Sequence, residues 1–200
     1  MQANTSSLRN ELRKTTRAKR QSLTDDEQRH AATDLLSHFQ QADSILNAQR
    51  IALYLSVDGE LDTQPLIEHC WREGKDVYLP VIHPFSKGHL LFLHYHHKST
   101  LVPNRYGILE PKLSVLDVLP AYQLDVICTP LVAFDKSGQR LGMGGGYYDR
   151  TLAPWYESGR GAKPIGIAHD CQQVDDLPVE AWDVPLPEIL TPSKHWKWAI

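Results

Sequence analysis

The 200-residue sequence predicts a single α/β domain spanning residues 1–200, built on a mainly parallel sheet. Three observations predict it. Apolar runs at Ile51–Leu55, Val77–Ile82, Leu124–Thr129 and Pro164–Ala168 are short and suit buried strands. Segments with apolar residues at helical spacing lie between or before them. Over residues 51–82 the order strand, helix, strand has the spacing of a right-handed βαβ unit.

Residues 1–7 are polar and read as a frayed end. From Leu8 to Ser22, Arg9, Arg13, Lys14, Arg17, Lys19 and Arg20 accompany Leu8 and Leu12 at helical spacing, which predicts a basic helix. Arg17, Lys19 and Arg20 read as its solvated face. Thr24 followed three residues later by Glu27 is a capping box, opening a second helix that turns Ala31, Leu35, Leu36 and Phe39 to the core. The strand at Ile51–Leu55 ends in the polar loop Ser56–Glu60. Thr63 is positioned to cap a helix with Leu66, Ile67, Cys70 and Trp71 on one face, and Gly74 stops it. After the strand Val77–Ile82, residues 83–89 form a turn, and Leu90–Tyr95 with Ser99–Val102 predicts a β-hairpin. Leu131–Phe134 leads into a glycine-rich loop (residues 138–146) and a helix from Tyr147 to Tyr156. The proline-punctuated tail (Pro178, Pro185, Pro187, Pro192) reads as extended packing.

Composition narrows the function. Hydrophobic residues make up 42% and charged residues 22%, which is ordinary globular usage, and the net charge of -3 argues against a nucleic-acid or membrane-surface binder. Cys70, Cys128 and Cys171 are scattered with no CxxC pair, as expected for free thiols in a reducing compartment. No signal segment or membrane-length apolar run is evident, so a cytoplasmic location is expected, as a monomer or weak homo-oligomer. His94 and His96 would share a strand face but lack partners at ligand spacing, and read as surface residues. His169-Asp170 reads as a strand end near the site rather than a dyad.

The chemistry concentrates in Arg140-Leu141-Gly142-Met143-Gly144-Gly145-Gly146-Tyr147-Tyr148-Asp149-Arg150. Four glycines in five positions let the backbone approach a ligand closely, and a helix start immediately after them presents unpaired N–H groups suited to phosphate. Arg140 and Arg150 add fixed positive charge and are the candidate catalytic residues. Asp149 is suited to a Mg²⁺ that bridges phosphate oxygens, and Tyr147 and Tyr148 to a heteroaromatic ring. No Lys-Ser/Thr follows the last glycine, and no GxGxxG stands at Rossmann spacing, so this is neither a Walker A loop nor a dinucleotide fingerprint.

This run resembles the signature of the 5-formyltetrahydrofolate cyclo-ligase family, also called methenyltetrahydrofolate synthetase. The similarity extends to the basic first helix, to Leu55–Thr63 and to the region from Gly166 to Pro192. The resemblance implies a three-layer α/β/α sandwich and closure of 5-formyltetrahydrofolate to 5,10-methenyltetrahydrofolate with ATP and Mg²⁺. It implies that Arg9 and Arg13 bind ATP, together with Arg140, Leu141, Gly142, Met143, Gly144, Gly145, Gly146, Tyr147 and Tyr148. Val57, Glu60, Asp62, Tyr106, Tyr147 and Tyr148 become candidate folate contacts, and Asp149 a metal ligand. Many members have an aspartate where this chain has Pro187, and Asp183 is the candidate second metal carboxylate in its place.

The chemistry explains why ATP is needed. The N5-formyl group is an amide, and its oxygen is a poor leaving group until phosphorylated. The expected route is therefore a phosphorylated formyl intermediate, ring closure by N10 and release of ADP and phosphate, in a site that positions groups and stabilises phosphoryl charge. Asp62 stands open between a folate contact and a cap for the helix that follows. Two other readings compete. One is a sugar-phosphate isomerase or CoA-transferase-like enzyme on a similar fold, and the other a non-catalytic folate or nucleotide binder. The paired tyrosines and two separate basic segments favour a nucleotide with an aromatic substrate.

Overall fold

The computed structural model describes residues 2–199, the first three of these by backbone alone. In chain order the elements are α1 (Gln2–Gln21), α2 (Asp25–Gln41), α3 (Asp43–Leu46), β1 (Arg50–Ala52), α4 (Gln64–Arg72), β2 (Asp76–Ile82), β3 (Leu90–Tyr95), β4 (Leu101–Pro103), β5 (Leu109–Pro111), β6 (Val118–Leu119), β7 (Val126–Pro130), β8 (Ala133–Phe134), β9 (Arg140–Leu141), α5 (Tyr147–Ser158), β10 (Lys163–Ile167), β11 (Glu188–Leu190) and β12 (His195–Lys197). Eight strands form one sheet in the order β12-β11-β10-β7-β1-β2-β3-β6. Its central five, β11, β10, β7, β1 and β2, run parallel, while β12 at one edge and β3 near the other run antiparallel to them, and β6 pairs antiparallel with β3. None of the described helices is long and apolar enough to cross a membrane.

Strand alternation produces the three layers. Neighbouring residues on a strand point to opposite faces, so both faces of a central sheet must be apolar. Ile51, Val77, Val126 and Ile165 meet Leu35 and Phe39 of α2 and Leu66 and Ile67 of α4 on one face. Ala52, Tyr78, Ile127 and Ile189 meet Leu152 of α5 and Phe134 on the other. Each large side chain so buried contributes about 1.5–3 kcal/mol. The capping box is present: Thr24 accepts from the Glu27 N–H, and Glu27 reaches back to the Thr24 N–H.

Several expectations are corrected. α1 is already helical at Gln2, so residues 2–7 are not a frayed coil, and Met1 lies outside the described residues. α2 buries Ala32 rather than Ala31. β1 stops at Ala52, although the Leu53 N–H still donates to the Tyr78 carbonyl, and the chain then leaves the sheet. Thr63 makes no side-chain cap. Its hydroxyl donates instead to the Tyr54 carbonyl, and Asp62 Oδ1 accepts from the Gln64 N–H at 2.9 Å. β3 pairs with β2, while β4 pairs with β5 in a separate ribbon, so the hairpin joins different partners from those expected. Residues 83–89 make the tight turn that brings β3 back along β2, closed by the His83 N–H donating to the His89 carbonyl. The tail adds β11 and β12 to the sheet, its prolines standing between the strands.

Candidate functional site

In open parallel sheets ligands bind beyond the carboxyl ends of strands, where neighbouring connections leave in opposite directions. Here that point lies at β1 and β7, since β1 is flanked by β2 on one side and β7 on the other. A cavity of about 510 Å³ opens there. Tyr54, Leu55, Val57, Asp58 and Glu60, following β1, and Pro130-Leu131, at the end of β7, line it. Leu79, Pro80 and Ile82 of β2 and Ile108 and Leu109 of the β4–β5 ribbon give it apolar walls.

The glycine-rich segment forms another part of the wall. It is not a continuous loop: Arg140 and Leu141 form β9, which pairs with β8. The hairpin turn is tied by Asp135, whose Oδ1 accepts from the Ser137 N–H. β9 carries Arg140 into a buried position, where Nη2 donates to Asp149 Oδ1 at 2.5 Å. Arg140 Nε is buried with no partner among the described residues. Burial lowers the Arg140 pKa and the nearby Asp149 charge opposes that shift. Residues 142–146 then run to α5, and Gly146 takes φ 66°, a left-handed conformation that glycine adopts without a side-chain clash. The amides of Met143, Gly144, Gly145 and Gly146 donate to no acceptor among the described residues. Arginines brace this segment through its carbonyls: Arg13 Nε donates to the Gly142 carbonyl at 2.8 Å and Arg150 Nη1 to the Gly145 carbonyl at 2.9 Å. Unspent N–H donors beside a buried cation are suited to a polyphosphate.

The tyrosines differ in setting. Burial pushes the Tyr148 phenol well up. Tyr147 is held by a 3.3 Å contact to the Tyr106 hydroxyl and accepts from Arg105 at 2.5 Å, and these contacts, Tyr106 first, lower its pKa. Glu60 lines the same cavity, with its side chain 11% exposed and Oε2 accepting from the Val57 N–H at 3.1 Å. Burial raises its carboxyl to about 7, against the pull of Arg20.

Val57, Glu60, Tyr106, Arg140, Gly142, Met143, Gly144, Gly145, Gly146, Tyr147, Tyr148 and Asp149 therefore line one cavity. Leu141 is buried in a small apolar cluster with Ala133 and Leu177. Arg13 and Arg150 brace the segment from outside the lining. Asp62 lies outside it as the Gln64 cap, so of its two readings the structure supports the cap. Arg9 and Asp183 are also outside and spend themselves on each other, at 2.5 and 2.9 Å. Both Asp183 oxygens are on that guanidinium, which does not fit a metal ligand, and no cluster of three or more metal-ligating side chains occurs among the described residues. Asp149 makes its contacts through Oδ1, which leaves Oδ2 for a cation.

The sequence reading missed Arg20, Asp58 and Tyr54. Arg20 is not on a solvated face but fully buried, donating to the Asp58 and Leu131 carbonyls. The signal available was Asp58-Gly59, a pair that favours a left-handed turn, as the φ values of 56° and 72° bear out.

A sequence model of the 5-formyltetrahydrofolate cyclo-ligase family matches residues 5–192. The chain is 57% identical over 184 residues to the 5-formyltetrahydrofolate cyclo-ligase of Escherichia coli (strain K12), covering 91% of this chain and 99% of that one. It is 49% identical over 183 residues to the 5-formyltetrahydrofolate cyclo-ligase of Haemophilus influenzae, covering 92% and 95%. The solution structure of Aquifex aeolicus 5,10-methenyltetrahydrofolate synthetase superposes with a TM-score of 0.80 at 30% identity, covering 95% of this chain and 92% of that one. A 5,10-methenyltetrahydrofolate synthetase from Mycoplasma pneumoniae superposes with a TM-score of 0.72 at 26% identity, covering 92% and 98%.

Proposed function

The chain belongs to the 5-formyltetrahydrofolate cyclo-ligase family, an enzyme that forms 5,10-methenyltetrahydrofolate from 5-formyltetrahydrofolate, and from that premise we propose that its cavity performs the closure with ATP through a phosphorylated formyl group. The observation that supports this most is that free backbone amides, the unpartnered Arg140 Nε and the buried Glu60 all belong to one cavity. The first two suit phosphate, and the third suits the N–H and amino donors of a pterin.

The steps follow from the substrate. The formyl oxygen attacks the γ-phosphorus, and the bond to ADP breaks. N10 then attacks the formyl carbon and gives its proton to water. The carbon–oxygen bond breaks, phosphate leaves with the formyl oxygen, and the methenyl bridge keeps the positive charge. The protein's share is to hold oxygen and phosphorus in line and to stabilise charge on the moving phosphoryl group. Arg140 and the amides of residues 143–146 stabilise that charge, and Arg13 and Arg150 keep the segment in shape. Glu60, Val57, Tyr106, Tyr147 and Tyr148 hold the folate. Asp149 Oδ2 would take a Mg²⁺ accompanying the phosphates, and the metal would supply neutralising charge there.

Substrate labelled with ¹⁸O in the formyl group tests the route. The label is expected in inorganic phosphate after one turnover. Label recovered in water would rule the phosphorylated formyl group out.

A further inference from the structure

The loop after β1 is fastened in an unusual way. Asp58 adopts φ 56°, a left-handed conformation that aspartate visits more readily than most residues but keeps only where its surroundings hold it. They do so here from the C-terminal end of α1. Arg17 Nε donates to Asp58 Oδ2 at 2.7 Å, Arg20 Nη2 to the same oxygen at 2.9 Å, and Gln21 to Oδ1. The adjoining Gly59 lies so near that a Cβ there would come within 3.2 Å of the Arg20 carbonyl.

Arg20 is fully buried, and its bonds leave it little freedom. Nε donates to the Asp58 carbonyl at 2.9 Å and Nη1 to the Leu131 carbonyl at 3.3 Å. Its one other anionic neighbour among the described residues is Glu60, whose Oε1 lies 3.7 Å from Nη2, too far for a hydrogen bond. A buried guanidinium and a buried carboxyl this close would ordinarily close into a direct pair. Asp58 takes that place. The other titratable groups that act on or near Glu60 are the Tyr54 phenol, following β1, the Tyr148 phenol of α5 and the buried His169 imidazole beside the Gly59 backbone, with the Arg140–Asp149 pair farther along the wall. None of these competes for Arg20 among the described residues.

We propose that Asp58 is a positioning residue that holds the Arg20 guanidinium off Glu60, so that the Glu60 carboxyl stays free to accept from the pterin. The inference rests on the proposed folate site and adds a residue that tunes it. Without the Asp58 charge, Arg20 turns to Glu60. The carboxyl then ionises more readily, because a negative neighbour has gone and a positive one has closed in. It also binds substrate less well, because its oxygens are taken.

The test compares the wild-type enzyme with Asp58→Asn and Asp58→Gly, both of which tolerate the left-handed backbone. kcat and KM for 5-formyltetrahydrofolate are measured from about pH 6 to about pH 9. In both variants the acid limb of kcat/KM is expected to move to lower pH by about 1, the size of one nearby charge. Above about pH 8, KM should rise about tenfold while kcat changes far less. A merely structural role would not shift the limb. Variant profiles that superimpose on the wild type, or limbs that move to higher pH, overturn the proposal, as does failure of both variants to fold by circular dichroism. If the wild type itself converts no 5-formyltetrahydrofolate with ATP, the functional reading fails and this one falls with it.

Discussion

Glu60 and Arg140 bring opposite charges into one cavity, and burial acts on both. For Arg140, burial lowers a pKa so high that the group stays charged, and the Asp149 carboxylate at 2.5 Å compensates. For Glu60 it raises the carboxyl from 4.5 to about 7, so its charge depends on physiological pH. The folded state therefore binds this proton more tightly than the unfolded chain does. The stability gained from it is complete below about pH 4.5, is lost as pH rises through about 7, and is absent above. The full difference is on the order of 3 kcal/mol. Glu60→Gln should accordingly melt higher than the wild type at about pH 8 and lose that advantage towards about pH 5, while its KM for 5-formyltetrahydrofolate rises. Thermal melts across that range check it, and an advantage that grows on acidification would contradict it. Asp58 has the opposite sign: the Arg17 hydrogen bond, helped by Arg20 and Gln21, brings it down to about 2, so its stabilisation is present above about pH 3.8 and lost only as pH falls through about 2.

At the scale of elements, the site is a junction between helix ends and strand ends. α5 begins at Tyr147 behind Gly146, an N-cap with no side chain to offer, and the amides of residues 143–146 donate to no acceptor among the described residues. α1 reaches both parts of the cavity wall, bracing Gly142 through Arg13 and Asp58 through Arg17 and Arg20. Gly146→Ala would put a Cβ on a left-handed residue, 3.0 Å from the Arg150 guanidinium. A cost of about 1–2 kcal/mol is expected in urea denaturation, with a lower kcat/KM for ATP. Unchanged ATP kinetics would remove this turn from the phosphate site. The elements also mark what the sequence discloses. The layout of the run Arg140–Arg150 was legible because it is local: glycines, then a helix start, with charges alongside. The Thr24–Glu27 box was legible for the same reason. Arg20 was not, since its burial depends on a partner 38 positions away, and a basic helix face looks solvated until that partner is known. The Arg9–Asp183 pair spans 174 positions and was equally hidden, which is why Asp183 looked like a free carboxylate.

Over the whole molecule, the α/β class and the parallel centre of the sheet were readable from apolar runs, but its edges were not. β3 looked like one half of a hairpin with the following segment, because alternation reveals a strand without naming its partner. β11 and β12 are three residues each, lie among prolines and gave no periodic signal. Yet they close the sheet's far edge, and Trp198, just beyond β12, donates to the Lys136 carbonyl in the β8–β9 turn that precedes Arg140. The molecule thus joins Trp198, its first helix and its glycine-rich segment beside the cavity at the ends of β1 and β7, where the proposed reaction would have two substrates meet. The most direct test of that meeting is the absorbance of the methenyl product when the purified protein is given 5-formyltetrahydrofolate and Mg²⁺, with and without ATP. The chromophore is expected to grow only when ATP is present. Growth without ATP, or none with it, would contradict a cavity that brings a nucleotide's phosphate to the formyl oxygen.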